Sequence, residues 1–280
     1  MGRLRISAIS FLNTAPLMWD FEQGDAGKDF DIEYTMPSSC AAALAASEAD
    51  IGIIPAVAYA EIPGLVILPK IAIAAKDYVR SILLISKKPI EQIHTVATDT
   101  SSRTSVALLQ VLFAQFFGGP RELTPHPPVL DAMLQHHDAA LLIGDAALKV
   151  ETSAAPHVYD LAHEWRKATG KPFVFAFWAV RLDSLEKGRG LDLTTIFERS
   201  RNRGTEINNL QVIAREWSPR LGLSEDEIIL YLTENIDYSL DRENHSGLQT
   251  FLRYSEQLGL IPQSPELRFL GPVAFLGLKK

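Results

Sequence analysis

Short apolar runs alternate with helix-patterned segments from the start of the chain, and this alternation restricts the possible folds more than any other feature. Residues 4–9 are strand-like and lead into Asn13-Thr14-Ala15-Pro16, after which Leu17, Met18 and Phe21 carry a helical pattern. Residues 30–34 read as a second strand, Ser38-Ser39 as the cap of an alanine-rich helix over 40–46, and 51–54 as a third strand closing at Pro55. Alternating strands and helices predict a mostly parallel sheet with right-handed crossovers. With 280 residues, and roughly 150 per domain as a guide, two lobes are expected.

The pattern restarts further on. Residues 65–74 and 80–86 read as strands separated by the polar stretch 75–79, the second strand leading out of the first lobe. Next come a strand at 95–97, a turn at 99–103 and a helix over 104–117 that is apolar almost all round and therefore buried, stopped by Gly118-Gly119-Pro120. A helix at 129–136, a strand at 139–143, a short helix at 146–150 and a strand-like run at 173–180 complete the second lobe.

The remainder is helical, with capping boxes at Ser224/Glu227 and Ser246/Gln249. Ile228, Leu232, Ile236 and Leu240 form one apolar stripe, and Leu248, Phe251, Leu252 and Leu258 another. Without strands of their own, these helices are expected to pack back on the first lobe, so that the chain crosses between lobes twice. The expected units are 1–87 plus 181–280 and 88–180, with Gly188-Arg189-Gly190 as a linker near the return crossing.

A net charge of −7 without a basic cluster argues against nucleic-acid binding, and no stretch approaches the roughly 20 apolar residues of a membrane span. Ser7, Ser10, Asn13 and Pro16 interrupt the apolar core that a secretory leader needs, and Ile6 stands where a myristoylation signal requires a hydroxyl, so a soluble, cytoplasmic protein is expected. Cys40, the single cysteine, lies in an apolar run and reads as a packed thiol. The seven histidines lack metal-ligand spacing, and phosphate loops, dinucleotide fingerprints and nucleophile elbows are absent.

Thr100-Ser101-Ser102-Arg103-Thr104-Ser105 places five hydroxyls and a guanidinium where a strand gives way to the buried helix. Capping needs one or two hydroxyls, whereas a helix N-terminus with this surplus of donors suits a carboxylate or phosphate. Gly144-Asp145 lies at the carboxyl end of a buried strand, where α/β proteins bind ligands, and Asp145 reads equally as a helix cap or a ligand contact. Asn13 is a site residue or a turn asparagine; Ser81 is a site residue or an ordinary strand serine.

Four segments, Phe11-Leu12-Asn13-Thr14-Ala15-Pro16-Leu17, Val79-Arg80-Ser81-Ile82-Leu83-Leu84, Ser101-Ser102-Arg103-Thr104-Ser105-Val106-Ala107-Leu108 and Leu142-Ile143-Gly144-Asp145-Ala146-Ala147-Leu148, together resemble in this order the chorismate dehydratase family of the futalosine route to menaquinone. The resemblance extends over residues 173–181 and, more weakly, the helical tail. It implies an unexported periplasmic-binding-protein type II fold and elimination of water from chorismate, a small dicarboxylate, to give 3-[(1-carboxyvinyl)oxy]benzoate without a metal or organic cofactor. It further implies that Asn13 and Ser81 lie beside the reacting ring and that Ser102, Thr104 and Ser105 hold a carboxylate; Asp145, which matches the family's Gly-Asp motif, is expected with Asn13 and Ser81 to be catalytic, and Thr100, Arg103 and Gly144 join the substrate-binding group from the turn and the strand end. Ser39 joins the substrate-binding group because it opens a helix. With no convincing base besides Asp145, the substrate's own enolpyruvyl carboxylate is the expected proton acceptor. The nearest rival is the enzyme of the same route that makes 1,4-dihydroxy-6-naphthoate, which would open on a Pro-Cys-Pro-Asn-Asp-type segment and use a histidine. The non-enzymatic rival is a small-anion receptor or regulator lobe.

Overall fold

Ten strands, among the residues described, form two five-stranded mixed sheets in the computed structural model, which covers residues 3–101, 103–151, 155–188 and 190–271. Strands β1 (Leu4–Ile9), β2 (Phe30–Thr35), β3 (Ile51–Pro55) and β4 (Leu65–Ala75) belong to the first sheet; β5 (Ile82–Ser86), β6 (Thr95–Asp99), β7 (Glu122–His126), β8 (Ala139–Ile143) and β9 (His157–Asp160) make the second. The last strand, β10 (Phe173–Arg181), returns to the first sheet.

The two sheets share one plan. Their orders are β2-β1-β3-β10-β4 and β7-β6-β8-β5-β9. Each has three parallel strands from its own half and a fourth, antiparallel strand adjoining a crossing: β10 pairs with β3 and β4, and β5 with β8 and β9. Two expected boundaries move accordingly. The strand at 82–86, assigned to the first lobe from sequence, pairs Ile82 with Ile143 and Ser86 with Ala139 in the second sheet, and the run at 173–181 lies in the first sheet. A uniformly apolar strand is buried on both faces and carries no mark of which sheet it joins. Leu84 packs in the main core, whereas Leu83 and Ile85 pack with Met133 and Leu142 in a smaller one.

The helices are α1 (Trp19–Glu22), α2 (Pro37–Ala45), α3 (Thr104–Phe116), α4 (Leu130–His136), α5 (Gly144–Leu148), α6 (Leu161–Thr169), α7 (Leu193–Gly204), α8 (Ile207–Leu221), α9 (Glu225–Leu230) and α10 (Arg242–Gln257). The alanine-rich α2 lies so close to β3 that a Cβ at Gly52 would stand 2.7 Å from Leu44 Cδ1. It starts on Pro37 at its first turn rather than on a Ser38 or Ser39 cap, because proline already supplies helical φ and has no N–H to satisfy. The apolar surface of α3 meets α6, α10, β10 and the short turn Ala56–Ala60, placing this helix between the two halves.

Two buried carboxylates tie the segment after β10 to the first half, Asp20 from α1 and Asp50 from just before β3. Asp20 pairs with Arg199 at 2.7 Å and Arg203 at 2.6 Å; Asp50 accepts from Lys187 and Ser184, each at 2.8 Å, and from Arg5. Ser224 and Glu227 form the expected capping box, but α10 starts earlier than expected: Asp241 accepts the Asn244 N–H at 2.8 Å, leaving Ser246 one turn inside the helix. This helix packs on β10 as expected and also on α3 of the second half. Gly188 follows β10 and lies against Leu4, beyond the return crossing, so the linker expected there is part of the first half; Arg189 lies outside the described residues.

The tail's fit has a measurable consequence. A Cβ on Gly204 would stand 1.9 Å from the Pro16 carbonyl oxygen, a backbone atom of the turn Leu12–Met18. Gly204→Ala is therefore expected to lower unfolding free energy by about 2 kcal/mol, read as a lower urea midpoint with unchanged slope.

Candidate functional site

A cleft lined by residues from both halves lies close to both crossings. Its walls are mainly apolar: Ile9, Phe11, Pro55, Ile73, Ile143 and Phe175 contribute from both halves. Its polar groups come from Asn13, Ser81, Arg103, Thr104 and Ser105, with Gly144 and Pro37 completing the lining. A largely apolar cavity with a few converging polar groups is the usual form of a small-molecule site.

Ser81 owes its place to a strained crossing. Arg80, immediately before it, has φ +59°, a conformation that costs a non-glycine residue energy unless its neighbours hold it. Asp160 does so, accepting the Val79 N–H at 3.0 Å and the Arg80 N–H at 2.6 Å, while its other oxygen caps α6 through Ala162 and His163. The Ser81 carbonyl accepts the Gly144 N–H at 2.7 Å, fixing crossing to cleft wall. Gly144 adopts φ +56°, and a Cβ there would lie 2.9 Å from the Phe11 ring, so both backbone and packing require glycine.

The cleft also takes in the start of α3, where Arg103 stands at the N-cap and its side chain makes no capping hydrogen bond. Arg103 pairs with Glu61, and Thr104 Oγ1 accepts the Val57 N–H at 3.4 Å, both contacts reaching across to the first half. Thr104 and Ser105 are buried in the cleft wall. Thr100 is exposed and away from the lining; Ser101 turns back to Asp99 at 2.6 Å; Ser102 lies outside the described residues.

Asp145 neither caps α5 nor lines the cavity. Its Oδ1 accepts the Leu12 N–H at 3.2 Å, clasping the two halves behind Phe11. Burial pushes its carboxyl up to about 6, opposed by that hydrogen bond and by the charge of Lys149. Ser39 is exposed on α2, and Pro37 rather than Ser39 reaches the cleft. Cys40 is a packed thiol as expected: its Sγ lies 3.1 Å from the Ser7 carbonyl, and burial pushes it up to about 11. Among the described residues no group of three His, Cys, Asp or Glu side chains is placed to hold a metal ion, and no helix is long and apolar enough to cross a membrane.

Sequence reasoning missed Tyr231, Phe11 and Phe175. Tyr231 is wholly buried and its hydroxyl donates to Ser81 Oγ at 2.9 Å. The signal was present in part: residue 231 is three positions after Ile228 on the same apolar stripe, and a buried tyrosine hydroxyl must find a partner.

A family model described as menaquinone biosynthesis matches residues 4–257. The chorismate dehydratase of Thermus thermophilus is 31% identical over 210 residues, covering 69% of this chain and 73% of that protein. The chorismate dehydratase of Campylobacter jejuni is 26% identical over 172 residues, covering 61% and 63%. Among solved structures, a protein of Archaeoglobus fulgidus superposes with a TM-score of 0.73 at 17% identity, over 92% of this chain and 98% of that one. The periplasmic aliphatic sulphonate binding protein of Escherichia coli does so with a TM-score of 0.66 at 16% identity, over 98% and 94%. At these identities the structural likeness establishes the fold, the two-lobed α/β architecture of periplasmic binding proteins expected from the sequence.

Proposed function

The chain belongs to the menaquinone-biosynthesis family, and on that premise we propose that it eliminates water from chorismate in the cleft, giving 3-[(1-carboxyvinyl)oxy]benzoate as a cytoplasmic step of menaquinone synthesis. The observation that carries the reading is the composition of the cleft: mainly apolar walls that also carry Asn13, Ser81, Arg103, Thr104 and Ser105.

The substrate supplies much of the driving force. Its C3 proton is vinylogous to the ring carboxylate, and losing that proton together with the C4 hydroxyl makes the ring aromatic. The protein's task is to hold one conformer, stabilise charge as it develops and assist the departing hydroxyl. Arg103 and the first-turn N–H groups of α3 suit a carboxylate, since the N–H groups of a first helical turn have no partner within the helix. Asn13 and Ser81 are assigned to the reacting side of the ring. The enolpyruvyl carboxylate takes the C3 proton and passes it to the departing C4 oxygen, which leaves as water, so atoms balance without an added reagent. Asp145 is not among the cleft-lining residues, which supports assigning the proton to the substrate rather than to this carboxylate. No histidine is among the lining residues either, unlike what the naphthoate-forming rival would need.

The direct test is incubation of the purified protein with chorismate and detection of a benzoate lighter by one water; tight binding without product sinks the enzymatic reading. Arg103→Ala is expected to raise KM for chorismate by about 10–100-fold, the loss of one charge-assisted contact, with kcat changing far less. Equal losses in kcat and kcat/KM would instead place Arg103 on the transition state.

A further inference from the structure

Tyr231 opens the π-helical turn Tyr231–Asn235, whose Ile236 N–H reaches back to the Tyr231 carbonyl at 3.2 Å. Such turns recur at functional sites because the extra residue re-aims a side chain. Here the turn belongs to the C-terminal helices, yet its aromatic side chain extends to the crossing that carries Ser81. The phenol is hydrogen bonded to a residue that lines the cleft: it donates to Ser81 Oγ at 2.9 Å.

We propose that Tyr231 is a positioning residue that donates a fixed hydrogen bond to the Ser81 hydroxyl and so turns the Ser81 proton into the cleft as a donor. The argument is a count of protons. A buried phenol has one proton to give and must find an acceptor for it. That proton goes to Ser81 Oγ, which thereby accepts one bond, leaving its own proton for whatever lies in the cavity that it lines. Burial, together with the nearby Asp145 charge, holds the phenol far above the ordinary tyrosine range, so Tyr231 keeps its proton throughout. It neither reaches the cavity lining nor acts as a base. In the reaction proposed above, on which this inference rests, a donating Ser81 stabilises the hydroxyl leaving C4, whereas a freely rotating Ser81 would do so only part of the time.

The test is Tyr231→Phe, which retains the buried ring and removes only the oxygen. We expect kcat with chorismate to fall about 10–100-fold, KM to stay within about threefold, and the melting transition to remain cooperative. A merely structural tyrosine would not produce the second expected result: in a Ser81→Ala background, Tyr231→Phe should cause no further loss, because the group through which it acts is gone. Independent, multiplying losses in the double variant overturn the inference, as does a Tyr231→Phe kcat within threefold of wild type. Absence of any product from the wild-type protein is a different failure, since it removes the chorismate reading and this inference with it.

Discussion

Ser81→Ala is expected to lower kcat for chorismate by about 10²-fold, the usual cost of removing one donor aimed at developing charge, while KM changes by no more than a few-fold. The asymmetry follows from the division of the cleft. Carboxylate binding is assigned to Arg103, Thr104 and Ser105, which the substitution leaves intact, whereas Ser81 lines the cavity from the crossing that leads into β5. The same change removes the acceptor of the buried Tyr231 phenol, so a stability loss of about 1–3 kcal/mol accompanies it. Steady-state kinetics separate the two effects, because a folded but less stable enzyme retains its kcat at temperatures well below melting. A rise in KM with kcat unchanged would reassign Ser81 to uniform substrate binding.

Much of the fold was legible because its elements are locally determined. The parallel strands β1, β2 and β3, the all-round apolar α3 and the Ser224/Glu227 box each follow from a periodicity or a cap within a short window. What the sequence did not determine were choices made between distant residues. Strand β5 pairs with β8 and not with the first sheet, a decision that depends on the polar crossing at 76–81 and on space beside Leu141 and Leu142. The start of α10 at Asp241 rather than Ser246 came down to which of two good caps the preceding chain could reach.

The site divides in the same way. Asn13, Ser81, Arg103, Thr104, Ser105 and Gly144 all line one cavity, and each lies at a strand end or helix start, where ligand contacts are expected from chain pattern alone. Thr100 and Ser39 were included for their hydroxyls and helix-start position, but those features do not settle which way a side chain faces. Tyr231 was missed because its contact with Ser81 spans 150 residues and depends on a π turn that no local pattern announced.

Asp145 provides the other large effect, through pH. An aspartate in the unfolded chain loses its proton near 3.9, whereas in the folded protein burial raises this group to about 6. Between those values the folded chain holds a proton that the unfolded chain has released, so stability falls as pH rises through the window. The contribution is whole below about pH 4 and lost above about pH 6, and a shift of this size corresponds to about 3 kcal/mol. Asp145→Asn cannot ionise, yet its amide oxygen can still accept the Leu12 N–H. The variant should therefore melt above wild type at pH 8, with the difference shrinking toward zero below pH 4. A constant difference across that range would show that the carboxyl does not titrate as its burial demands. The same variant bears on the chemistry: with the proton going to the substrate's own carboxylate, Asp145→Asn should retain turnover within about tenfold, the scale of a disturbed neighbour rather than a lost base. If it still binds chorismate but loses nearly all turnover, the proton acceptor is Asp145, and the clasp on Leu12 describes only its resting state.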